Sequence, residues 1–270
     1  MWTPTTRQQY SRKGLRYESD LTDAEWAIIE PLLPKSGIGR PWAWPVREII
    51  NGINYILRNG IVWAALPKEF PPKSTLYRWF CRLRDEAIFE KINFALVERD
   101  RERCGRDAHP SAAIIDSQSV KTTEAGGPRG YDGGKKIKGR KRSNLVDTGG
   151  RLLFSEVHPA NIQHRDSGGP LIEVSRRLYP FLSKVYADGG YDHERVTKAV
   201  AAVSVEIVHK IADQVGFVVL PRRWVVERTF AWLGRCRRLA KDFEATIESA
   251  RAFVYAAAVM LMVRRLARSS

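Results

Sequence analysis

The stretch that most constrains this chain is Ala113-Ile114-Ile115-Asp116-Ser117-Gln118-Ser119-Val120-Lys121, an apolar run that meets one carboxylate and continues onto hydroxyls and a lysine. A short apolar run of this kind reads as a buried strand, here from Ala113 to Ser117. A carboxylate is costly to bury unpaired, so Asp116 needs a cation or a hydrogen-bond network at its strand end. The same device recurs in Lys184-Val185-Tyr186-Ala187-Asp188, and a lone Glu227 stands among arginines in Arg222-Arg223-Trp224-Val225-Val226-Glu227-Arg228. Taken singly, an Asp at a strand end caps a turn, and Glu227 has Arg223 and Arg228 as helix partners. Taken together, Asp116, Asp188 and Glu227 are expected to meet in space and hold divalent metal.

Charge points to the substrate class. Among 270 residues, 45 are Lys or Arg and 30 are Asp or Glu, a net charge of +15. Such an excess suits a polyanion, whose condensed counterions are released on binding. At 44% hydrophobic, the chain has material for a proper core. Cys81, Cys104 and Cys236 are far apart and form no CxxC pair, which indicates neither a zinc site nor a disulfide framework and fits a reducing cytoplasm. The first residues form no apolar signal region. The twelve-residue apolar run from Ala252 to Val263 is too short to span a bilayer and reads as a buried helix, so no membrane partner is expected.

Read in order, residues 1–20 form a loose basic arm. Thr22 and Glu25 make a capping box for a helix carrying Trp26, Ile29 and Leu33, which Pro34 ends. A second helix spans Val46 to Asn59 with Gly60 as its C-terminal cap, and a third runs from Ser74 to about Arg84. Lys73, Arg78 and Arg82 lie opposite the apolar face of that third helix, as a helix-turn-helix-like module presents cations to a DNA groove; an ordinary solvated face is the alternative. Helical pattern resumes from Glu86 to Arg103 and meets a polar linker at residues 104–110. The expected division is thus an arm (1–20), an all-helical DNA-binding domain (21–104) and a catalytic domain (105–270).

The second half alternates strands and helices. A glycine-rich segment, 124–134, leads into residues 135–142, six of which are Lys or Arg. Glycines argue for a loop that a ligand orders, and the cations argue for phosphate contacts by Arg129, Lys135, Lys136, Lys138, Arg140, Lys141 and Arg142. Asn144 to Val157 reads as a hairpin about Asp147-Thr148-Gly149-Gly150, with Asp147 a turn former. A helix from about Pro170 to Tyr179 is capped by Asp166 or Ser167, and a helix from His193 to Val203 is capped by Asp192. A strand at Val205 to Ile211 and a last helix at Ile247 to Arg268 complete the pattern. Three antiparallel strands followed by βα units describe a ribonuclease-H-like mixed sheet flanked by helices, an α/β fold.

With these blocks in order, the chain resembles the DDE transposases of bacterial insertion sequences, in particular the IS-five type, over nearly its whole length. The resemblance rests on Leu21 to Trp26 through Pro34, Gly39-Arg40-Pro41, Trp63, Asp116 to Lys121, Gly130-Tyr131-Asp132, Gly139 to Arg142, Ala187 to Tyr191, and Arg223 to Leu233. Two positions depart from the wider signature: Leu220 stands where a Tyr is expected, and Gly234 where a basic residue is expected. The interval from Asp188 to Glu227 leaves no room for the β-rich insertion that some relatives carry.

The resemblance implies a metal-dependent DNA cleaving and joining enzyme. Asp116, Asp188 and Glu227 would hold two Mg²⁺ ions, for which Mn²⁺ substitutes, and Asp116 would bridge them. Lys121, Arg223 and Arg228 would contact DNA near the cut, with Glu124 an alternative partner for Lys121. The implied partners are double-stranded terminal inverted repeats and target DNA, bound by at least a homodimer at the bacterial nucleoid. Five scattered histidines argue against a histidine-metal single-strand transposase, and Ser117 and Ser119, with no histidine nearby in sequence, against serine catalysis. Two other classes remain open: a domesticated DNA-binding regulator without catalysis and a ribonuclease-H-like nuclease.

Overall fold

A computed structural model describes residues 3–35, 41–208 and 224–268. The arm expected to be loose is docked. Thr3 caps α1 (Pro4–Gln9), and arginines that follow turn inward: Arg12 pairs with the buried Glu25, and Arg16 with Asp20 and Glu48. The predicted capping box forms between Thr22 and Glu25 and starts α2 (Asp23–Ile29). That helix stops at Ile29 rather than at Pro34, because Pro31 lacks the N–H that an α-helical ladder requires and Glu30–Leu32 tighten into a 3-10 turn. α3 (Val46–Asn59) ends at Gly60, whose φ of 69° explains the glycine. α4 (Lys73–Asp85) and α5 (Ile88–Arg103) complete the helical region.

The second half builds a six-stranded mixed sheet from β1 (Ala112–Lys121), β2 (Gly130–Asp132), β3 (Ile137–Asp147), β4 (Leu152–Pro159), β5 (Lys184–Ala187) and β6 (Ser204–Ile207). β3 is antiparallel to β1, β2 and β4, while β1, β5 and β6 run parallel. The order β2-β3-β1-β5-β6, with β4 following β2 along the edge of β3 away from β1, is the ribonuclease-H-like arrangement. Helices α6 (His164–Leu178), α7 (Glu194–Thr197), α8 (Trp224–Gly234) and α9 (Ile247–Ala267) flank it.

Several boundaries differ from the sequence reading. The basic run is no loop: Ile137 onward is the first part of β3, and β1 extends to Lys121 to pair with it, Lys121 opposite Gly139. α6 begins at His164, six residues before Pro170, which lies inside the helix. α7 is a single turn, and the side chain of His193, not Asp192, caps it by accepting from the Arg195 amide at 3.1 Å. β6 ends at Ile207; Ile211, Leu220, Arg223 and the Gly39-Arg40 pair lie outside the described residues.

Two apolar cores sandwich the sheet. Ala113 and Ile115 face one side with Leu171, Ile172 and Tyr191, beneath α6; Ile114 faces the other with Val146, Tyr186, Val225 and Val226, beneath α8 and α9. The second core also takes in α2 to α5, because α9 packs against α2, α3, α4, α5 and β4 at once. Its apolar run is buried all round: Phe253, 1% exposed, stacks on Phe80 at 4.4 Å. The polar turn at 104–110 therefore separates segments of chain that share one core. Among the described residues, no helix is long and apolar enough to cross a membrane.

Candidate active site

Strand register sets the first two carboxylates side by side. Ile114 pairs with Tyr186 across the parallel β1–β5 ladder, so Asp116 and Asp188, each two residues further on, stand at one level where β5 ends and β1 continues against β3. Neighbouring strands lie about 4.8 Å apart. Ile115 and Ser117 face α6, and side chains alternate along a strand, so Asp116 is on the face of α8 and α9; Asp188 stands past the end of β5, its carboxylate beside Gly190 and near His164. Both Asp116 and Asp188 are half-buried. The Asp188 carboxylate also accepts from the Gly190 amide at 3.0 Å, which turns the chain away from the sheet.

Glu227 rides on the helix laid across the face of Asp116. Val225, Val226 and Thr229 of α8 are buried toward β1 and β3, and Glu227 is exposed between them. Among the described residues, no three His, Cys, Asp or Glu side chains come close enough together to share a metal ion. The structure thus sets two of the predicted carboxylates at one level by register and lays the helix of the third across β1 and β3, without gathering the three into one cage. As donors they are oxygen only, which suits Mg²⁺ or Mn²⁺ and not a soft-ligand metal.

On the other face of β1 lies a group that sequence reasoning missed. Ser117 Oγ and His164 Nε2 share a 2.7 Å hydrogen bond, so Ser117 does have a histidine beside it, contrary to expectation. The His164 ring stacks on Tyr191 at 4.8 Å, nearly coplanar at 9°. Burial, then the Lys141 ammonium, lowers the His164 pKa, while Asp188 acts in the opposite sense. Two positions along, Ser119 donates to Asp132 at 2.6 Å, and Lys141 stands 3.6 Å from the same carboxylate. Burial pushes Asp132 up, but the Ser119 hydroxyl, the Lys135 amide and the two lysine charges outweigh it and hold the group at about 2. No spacing rule links Ser117 to His164; only the tertiary placement of the first residue of α6, a helix packed on β3 and β4, brings them together.

The predicted DNA-binding cations divide in two. Lys73, Arg78 and Arg82 are exposed on α4, with Arg82 paired to Glu86 and lying over Trp42 and Trp79. Lys121, Arg129, Lys135, Lys136 and Lys138 are exposed beyond Asp116, at the same end of the sheet. Arg140, Lys141 and Arg142 are buried, and this part of the phosphate-contact expectation is corrected. Arg140 pairs with Asp242 and donates to the carbonyls of Pro128, Glu244, Ala245 and Thr246. Arg142 donates to Leu239 and Lys241, and Lys141 to Ile162. Their density reflects a strand that binds its neighbours through charged side chains. Arg228 is also turned from the strand ends: it sits between the rings of Trp224 and Trp232 and donates to Gly149 O at the β3–β4 turn.

Residues 107–262 match the family model described as the transposase DDE domain, across the whole sheet and the helices on both faces. The chain belongs to the transposase DDE-domain family. The helical region agrees: residues 21–93 match the model described as a putative transposase of the IS4/5 family. A putative transposase for insertion sequence element IS402 of Burkholderia cepacia is 34% identical over 124 residues, 43% of this chain and 59% of that protein. An uncharacterized 16.2 kDa protein of the same insertion element and organism is 32% identical over 114 residues, 39% of this chain and 76% of that protein. No solved structure matches the chain.

Proposed function

We propose that this protein is a transposase that cuts DNA at the terminal inverted repeats of an insertion sequence and joins the freed 3′ ends to target DNA. The observation that supports the reading is the shared level of Asp116 and Asp188 on neighbouring parallel strands in a chain of the transposase DDE-domain family. Asp116, Asp188 and Glu227 hold the divalent metal, Mg²⁺ or Mn²⁺, as two ions. When bound, such metal activates the attacking oxygen and neutralises charge on the scissile phosphate. The exposed Lys121, Arg129, Lys135, Lys136 and Lys138 align the phosphodiester backbone across the strand ends, while Lys73, Arg78 and Arg82 of α4 grip duplex further out. No side-chain nucleophile is used, so no covalent protein–DNA bond forms. Two copies act together on the two ends.

The test is incubation of the protein with a labelled repeat-end duplex and Mg²⁺ or Mn²⁺. Strand-specific nicks are expected, and Asp116→Ala, Asp188→Ala and Glu227→Ala should each lower their rate by at least about 10³-fold, as loss of a group acting only in the transition state does. Binding without cleavage in either metal points instead to a regulator, and cutting without regard to the repeat end points to a general nuclease.

A further inference from the structure

At the end of the sheet opposite Asp116, a cavity of about 680 Å³ opens between the arm, the β3–β4 turn, α8 and the last turns of α9. Seven arginines line it against two acidic residues, Glu18 and Glu25. Glu25 is already engaged by Arg12 at 2.5 and 3.1 Å and by the Thr22 amide. Arg265 pairs with Asp100 at 3.2 Å, while three others meet carbonyls: Arg58 donates to Arg235 O at 2.6 Å, Arg264 to Glu18 O at 2.9 Å and Arg228 to Gly149 O at 3.2 Å. A carbonyl satisfies an N–H without cancelling its charge. Moreover, Nε of Arg228 and Nε of Arg264 are buried and meet no acceptor among the described residues. Burial, then the charges of Arg12 and Arg58, brings Arg264 down to about 10. Cation has thus been gathered at this spot against its own repulsion, on a wall that also presents Trp232, Leu233 and Leu261.

Guanidinium forks match phosphate oxygens in pairs, which a point charge does not. A cavity of this volume falls within the roughly 300–1,000 Å³ range of small-ligand sites, whereas a duplex backbone needs an open face. From this we infer that the cavity is a second nucleic-acid site, a pocket for a 5′-phosphorylated nucleotide, its phosphate held by Arg264 and Arg228 and its base against the Trp232 wall. The nucleotide is either free or the end of a single strand. The inference does not rest on the three carboxylates.

The test uses the full chain in EDTA, so that failure of metal chemistry cannot affect it. Binding of deoxyadenosine 5′-monophosphate, deoxyadenosine, and a ten-nucleotide single strand with and without a 5′-phosphate is measured by calorimetry at fixed ionic strength. Phosphorylated probes should bind at least about 10-fold tighter than their unphosphorylated counterparts, and Arg264→Gln should remove that preference while Arg264→Lys retains part of it. Arg235→Gln, at the exposed rim, tests the same preference where folding is not in question. In the absence of ligand, Arg264→Gln should melt no lower than the wild type, because it relieves repulsion; a purely structural arginine would lower the melting temperature. A phosphorylated strand binding about 10-fold tighter than the mononucleotide assigns the site to a strand end, and equal affinities assign it to a free nucleotide. Equal binding of phosphorylated and unphosphorylated probes, or an undiminished preference in both Gln variants, overturns the inference.

Discussion

Arg140 and Lys138 are two residues apart in one basic run, and their environments differ completely. Arg140 is fully buried and ties β3 to the segment before α9 through Asp242 and backbone carbonyls. Lys138 is exposed beside the strand ends. Removing one partner of a buried ion pair costs about 3–5 kcal/mol because the other charge is left behind. Arg140→Met should therefore lower stability by about that amount in urea melts. Lys138→Ala should leave the melt unchanged, weaken duplex binding and reduce the salt slope by about one. Equal stability of the two variants would contradict the assignment. Composition alone could not separate them, since both read as cations in a glycine-flanked run. The deciding fact is position along β3: Lys138 pairs only with the short edge strand β2, whereas Arg140 lies between β1 and β4 and is covered by the segment before α9.

At the scale of the element, what was legible follows from how local the cause is. The bounds of α3 and its Gly60 cap, and the Thr22–Glu25 box of α2, depend on neighbours within a turn and were readable in full. The β3–β4 turn at Asp147 to Gly150 was legible for the same reason: Asp147 accepts from the Gly149 and Arg151 amides. The start of α6 was not. Asp166 and Ser167, read as its cap, lie inside it, and Gly168 and Gly169 are glycines because Tyr191 and the Arg195 carbonyl press against the helix there. The polar half of β1 was hidden similarly, since Ser117 and Ser119 face His164 and Asp132 instead of apolar partners. Gly139 belongs to the same group. A Cβ at Gly139 would lie 1.9 Å from Val120 O, on the backbone of β1. Gly139→Ala should consequently destabilise by about 3 kcal/mol, as overpacking against a wall that cannot yield does, and should raise amide exchange in β1 and β3. A substitution neutral in both measurements would contradict the close approach.

Across the whole molecule, one core joins the helical region to the sheet, and a buried ion network fastens the turn beneath it. Asp147 is held by Arg151 at 2.9 Å and Arg101 at 2.6 Å, and Asp100 by Arg151 at 2.6 Å. Burial pushes the Asp147 pKa up, but the Arg151 and Arg101 charges and the Arg151 amide outweigh it and hold it below the ordinary 3.8. A depressed carboxylate pKa contributes stability that is present above the ordinary value and is lost as pH falls through the lower folded value. Thermal melts should show a loss of stability below about pH 4 that Asp147→Asn reduces, the variant being less stable than the wild type at pH 7; an identical acid profile in the two would contradict this linkage. The fold class and the family were legible in the order of acidic and basic blocks. The same order led to the expectation that Asp116, Asp188 and Glu227 converge; among the described residues they are not gathered into one cage, and Glu227 is exposed on α8. The most direct test of that convergence replaces Mg²⁺ with Fe²⁺ in the DNA-bound protein, adds ascorbate and peroxide, and maps where locally generated radicals cut the polypeptide. Cuts clustered near residues 116, 188 and 227, and lost together in Asp116→Asn, are the predicted result; cuts that spare the chain around Glu227 would contradict a shared metal site.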